Sequence, residues 1–272
     1  MTEDRRAELL TLAQECRRLA TRVLDKCPEP GGSADAPFLR SAAVRMLTAK
    51  ACDSFDGITL LAASGFVNEA SVLLRVLLET VVTTEFILKH GDAGVFLYWE
   101  GMRDHKMRLK GLLEKGRMNQ IFPAQVVCEG IRTLERECQR FDSDLPRAFG
   151  GLPNGDILWK KGKKERCRWK DVKIAERFRS TGLQSLYDSV YLLTSLAAHA
   201  HSAIQLSYFN PPESADPLVG PKTKYFKETI SAACRLLVVQ THDLDGTLGL
   251  GLSELIEHQE NRVIAIAGGE GK

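Results

Sequence analysis

Between Val67 and His90 the chain reads VNEASVLLRVLLETVVTTEFILKH, its most apolar long segment. Ala70, Leu73, Leu74, Leu77, Val81 and Leu88 recur at helical spacing and predict a central helix over about 67–90. Asn68 is its expected cap and Glu69 suits the positive end of the dipole, while Gly65 and Gly91 mark where helices can stop. A second arc of the same helix is polar: Ser71, Arg75, Glu79 and Thr83 follow at four-residue steps. Val72, Val82 and Phe86 project into that arc, so Arg75 and Glu79 are expected to be partly buried and to pair at i,i+4. A buried pair needs further partners for its guanidinium and carboxylate.

The same periodicity predicts helices over 2–26, 38–64, 92–115, about 123–141, from about 172 to an interruption near Gly182, 183–208, and from about Thr223 toward Asp245 with a resumption toward Glu257. Residues 27–37 and 210–222 are rich in Pro, Gly and Ser and read as loops. Residues 141–155 are turn-rich, and the break within the domain is expected there. No alternating stretch of useful length suggests a strand, and no repeat is found. The fold class expected is all-α, a multi-helix bundle around the helix at 67–90. Residues 1–37 are read as an N-terminal helix and loop, 38–260 as one helical domain, and 261–272 as a disordered tail.

Composition narrows the classes without choosing one. Hydrophobic residues at 44% and charged residues at 26% suit a globular chain, and a net charge of +2 gives no strong pull toward nucleic acid or anionic membrane. No uncharged stretch is long enough to span a bilayer, and the charged N-terminus does not read as a signal peptide. The seven cysteines form no CxxC spacing, which favours reduced thiols in a cytoplasmic protein over disulfides or zinc. No metal site and no cofactor is expected, since neither an ExxH spacing nor a phosphate-cradling glycine loop is present.

Two stretches carry candidate chemistry. Over 183–208, Gln184, Asp188, Tyr191, Ser195, His199 and Ser202 step along one helix face, opposite Leu186, Val190, Leu193, Ala197 and Ile204. Small hydroxyls, a tyrosine and a histidine suit close packing better than a solvated face, which usually carries Lys, Glu and Arg. Arg75 and Glu79 are therefore expected to meet Ser195 and His199 across a helix–helix contact. His201 falls near the apolar edge and reads as structural. The other stretch is the basic run at 160–170, where Lys160, Lys161, Lys163, Lys164, Arg166, Arg168 and Trp169 could contact phosphate and stack on a base. The plainer reading of such a run is a solvated loop.

With Leu73, Arg75, Leu78 and Glu79 as L-x-R-x-x-L-E, and Tyr187, Ser195 and His199 as Y-x(7)-S-x-x-x-H, the chain resembles an all-helical bacterial family of unknown function over roughly 40–210. More loosely it is similar to HEPN domains, helical bundles that cut RNA without metal and place an Arg and a His four to six residues apart on one late helix. No arginine precedes His199 at that spacing, so the role passes to Arg75 on another helix. The resemblance implies a metal-independent ribonuclease in stress or phage defence. His199 would act as general acid/base, Arg75 would stabilise charge on phosphorus, Glu79 would orient Arg75, and Ser195 or Tyr191 would add hydrogen bonds. Its partners would be RNA and a second copy of the chain, with no membrane. The alternative is a non-catalytic interaction or regulatory module with the same residues in a structural network. Solvent access to the cluster separates the two.

Overall fold

The computed structural model describes residues 2–29, 35–116, 121–150, 168–191, 194 and 225–268. Among the described residues there are helices and no strand. In chain order they are α1 (Glu3–Lys26), α2 (Ala36–Ala63), α3 (Val67–Glu114), α4 (Ala124–Phe149), a 3-10 turn (Trp169–Asp171), α5 (Ile174–Thr181), α6 (Gln184–Leu186), a π-helical turn (Tyr187–Tyr191), α7 (Phe226–Leu248) and α8 (Ser253–Gly268). No described helix is long and apolar enough to cross a membrane.

The chain divides into two compact units, the first made of Met1–Cys27, Val44–Leu88 and Ile174–Lys272. The apolar face of α3 lies in its core, with Leu77, Leu78, Val81 and Val82 fully buried beside Phe55 and Ile58 of α2. Gly57 has a positive role here. A Cβ at this position would sit 2.7 Å from Leu73 Cδ1, so the missing side chain lets α2 and α3 close on each other. α2 ends in a Schellman motif with Gly65 at φ 85°: the Gly65 amide donates to Ala62 O and the Phe66 amide to Leu61 O. Asn68 lies inside the first turn of α3 rather than at its cap. α1 packs on α7 and α8. Its last carbonyls, Leu24 O and Cys27 O, accept from Arg45 at 3.1 and 2.8 Å. The turn from α7 to α8 is held by Asp245, whose carboxylate accepts from the Leu252 amide and the Ser253 hydroxyl at 2.9 and 2.6 Å. Burial works against its charge, yet these bonds hold the Asp245 carboxyl below the usual range.

The second unit comprises Pro28–Ala43 and Lys89–Lys173. Here the later half of α3 runs antiparallel to α4. Arg103 pairs with Asp142 at 2.8 Å and Lys110 with Glu135 at 3.1 Å, partners descending along α4 as they ascend along α3. Trp99 lies against Phe141, and its Nε1 donates to Leu39 O at 2.9 Å.

Two boundaries differ from expectation. Residues 141–149, read as turns, continue α4, because Cys138, Leu145 and Phe149 are buried at helical spacing and Phe149 meets Phe96 edge-on. Pro146 is accommodated near the helix end, where the gain from burying these side chains outweighs its low propensity. Residues 261–268, read as tail, belong to α8, which buries Val263 and Ile266. The six described cysteines are free, five of them buried.

Candidate functional site

Arg75 and Glu79 stand one turn apart on α3, and the pair forms: Arg75 Nε donates to Glu79 Oε1 at 3.0 Å. Arg75 Nη2 donates to the Tyr191 hydroxyl, also at 3.0 Å, and the guanidinium carbon lies 4.9 Å from the centre of the Tyr191 ring. Tyr191 is thus both hydrogen-bond acceptor and cation–π partner. A further cation joins from α5, where Arg177 Nη1 donates to Thr83 Oγ1 at 3.3 Å. Thr83 Oγ1 in turn donates to Glu79 O at 2.7 Å. Arg75, Glu79 and Thr83 of the predicted polar arc are therefore brought together with Tyr191. Ser71 turns back on its own helix, donating to Val67 O.

The electrostatics follow from the packing. Burial acts to lower the Arg75 pKa, but the Glu79 bond and the Tyr191 contact outweigh it and raise the value. Burial, then the Glu79 charge, push the Tyr191 phenol up, against the opposing pull of Arg75. Arg177 is pushed down to about 10, mainly by burial, although Glu79 and Tyr191 favour its charge. Access is graded: the Glu79 side chain is 41% exposed, the Arg75 side chain 22%, and Tyr191 only 8%.

Tyr191 reaches this position because the late helix is not a regular α-helix. After α6 the backbone widens into the π turn, and Tyr187 and Tyr191 stack with centroids 5.0 Å apart, both against Phe178 of α5. The seam expected along 183–208 divides accordingly. Gln184 donates to Asp188 at 2.9 Å on the outside, while Tyr191 turns inward. Thr194 is buried and donates to Val190 O. Ser195, His199, His201 and Ser202 lie outside the described residues, as do Lys160, Lys161, Lys163, Lys164 and Arg166.

At the end of the basic run, the Arg168 amide donates to Asp171 Oδ2 at 3.0 Å and opens the 3-10 turn. Trp169 packs edge-on against Tyr98, with centroids 5.8 Å apart. A Cβ at Gly101 would lie 2.4 Å from the Trp169 ring, so the indole is seated on a bare stretch of α3 as a packing residue.

Sequence reasoning missed Arg177 and the Tyr187–Tyr191 stack. The sequence signals were Arg177 and Phe178 adjacent on one short amphipathic helix, and two tyrosines four residues apart. Among the described residues no group of three or more His, Cys, Asp or Glu is placed to hold a metal ion.

Residues 41–216, more than half of the chain, match the model of a family of unknown function, DUF5677. No curated protein and no solved structure matches the chain.

Proposed function

The chain belongs to the DUF5677 family of unknown function, and we propose that it is a metal-independent ribonuclease of HEPN-like character centred on Arg75. The supporting observation is the Arg75–Glu79 pair, which is open to solvent at Glu79, has a second guanidinium close by in Arg177, and is bonded to Tyr191, which precedes His199 by two helical turns' worth of sequence. In this reading His199 takes the proton from an RNA 2′-hydroxyl. The freed oxygen attacks phosphorus and displaces the 5′-oxygen, which leaves with a proton returned by His199 or water. Arg75, oriented by Glu79, stabilises the charge that develops on the phosphoryl oxygens. The products are a 2′,3′-cyclic phosphate and a 5′-hydroxyl.

The test is cleavage of a labelled single-stranded RNA by the purified full chain in the presence of a chelator. The wild type should cut, and His199→Ala, folded by circular dichroism, should cut roughly 100-fold more slowly or less, the usual range for a lost acid/base group. An inert wild type, or an undiminished His199→Ala, would contradict the proposal.

One observation favours a second reading. Arg75 is engaged by Glu79, by the Tyr191 hydroxyl and by the Tyr191 ring at once. Such a guanidinium also suits a structural clamp in a non-catalytic interaction or regulatory module. On that reading Arg75→Ala lowers stability and no variant, nor the wild type, cuts RNA.

A further inference from the structure

Where α1 and α8 pack together they leave a surface cleft of about 280 Å³. Arg18 and Arg22 stand one turn apart on its α1 side, and His258 and Arg262 one turn apart on its α8 side. Its floor is Leu19 and Gln259, both buried, and the Gln259 amide is fixed by donating to Cys16 Sγ at 3.3 Å. Leu255 is 45% exposed at the rim. None of these residues belongs to the Arg75 cluster.

The charges do not cancel. Glu15, the carboxylate of the cleft, is taken by Arg262, whose pKa this bond raises. Among the described residues neither Arg18 nor Arg22 makes an ion pair or a side-chain hydrogen bond. Three guanidiniums against one carboxylate leave two positive charges in a concave site. Like charges at i,i+4, as in Arg18 and Arg22, repel and cost stability unless an anion answers them. Guanidinium forks match phosphate oxygens in pairs. A cleft of this size lies just under the usual range of ligand sites, about 300–1,000 Å³, and so suits only a small ligand. Leu19 in the floor and Leu255 at the rim, beside the charges, suit a ligand with an organic part.

We propose that the cleft between α1 and α8 binds a small phosphate monoester, with Arg18, Arg22 and Arg262 around the phosphate and Leu19 and Leu255 against the organic part. The experiment is calorimetric titration of the full chain with adenosine monophosphate and, separately, with inorganic phosphate. Adenosine monophosphate should bind saturably and more tightly than phosphate. Arg18→Ala/Arg22→Ala should weaken it at least tenfold, whereas Arg108→Ala, which removes an exposed charge elsewhere, should change it less than twofold. Leu255→Glu, which sets a carboxylate at the rim, is a second variant with the same expected tenfold loss, should the double variant fail to fold. Absence of saturable binding, phosphate binding as tightly as the ester, or an equal effect of Arg108→Ala would each overturn the proposal.

Discussion

Glu85 lies on α3 two residues beyond Thr83, near the carboxyl of Asp243 on α7. Burial, and then the neighbouring carboxyl, push its pKa up to about 10, so it is a neutral acid at neutral pH. A carboxyl whose pKa is raised by folding holds a proton that the unfolded chain has already lost. Stability from this group is therefore fully present below the ordinary Glu value and falls as pH rises toward about 10. The slope cannot exceed about 1.4 kcal/mol per pH unit for one proton. Glu85→Gln should be more stable than the wild type at pH 8 and should lose less stability between pH 5 and 8, measured by denaturant unfolding. Parallel pH profiles would show that Glu85 ionises freely. Leu77 is the plainer case. It is fully buried in the apolar face that the periodicity identified, and Leu77→Ala should cost about 2–5 kcal/mol. A loss below about half a kcal/mol is surface behaviour and would contradict that placement.

At the scale of elements, Gly91 shows what the pattern could and could not convey. The sequence placed a helix end there, and the backbone does leave helical geometry, at φ 53° and ψ −133°. Helix then resumes at once, because Val95, Leu97 and Trp99 keep burying apolar surface. Nothing lies within 4 Å of a Cβ at Gly91, so the cost of Gly91→Ala is backbone strain alone, about 1–3 kcal/mol. Thermal and denaturant unfolding of the variant measure it, and an unchanged stability would mean that the residue readily leaves this conformation. Helix positions and core faces were legible because 3.6-residue periodicity survives in any amphipathic helix. The end of α4 was not, since the burial of Leu145 and Phe149 depends on partners remote in sequence. The parting of Gln184 and Asp188, on the outside, from the buried Tyr191 was not either. A π turn has more than 3.6 residues per turn, and a wheel drawn at 100° per residue assigns its side chains to the wrong faces. The pairing of Arg75 with Glu79 was legible from spacing; the arrival of Arg177 from α5 was not.

At the scale of the molecule, polar side chains remote in sequence meet in the first unit. Arg75 and Tyr191 are 116 residues apart in sequence and joined by a hydrogen bond. Partly buried charges require such partners, because an unpaired charge away from water costs several kcal/mol. His199, which follows Tyr191 in the sequence, is proposed to share one network with the Arg75–Glu79 pair. The direct measurement is a double-mutant cycle of Glu79→Ala and His199→Ala, read by denaturant unfolding of the full chain. A coupling energy of roughly 0.5–3 kcal/mol is predicted, as found for side chains that share one network. Losses that add to within about 0.3 kcal/mol, as for distant sites, would contradict the claim.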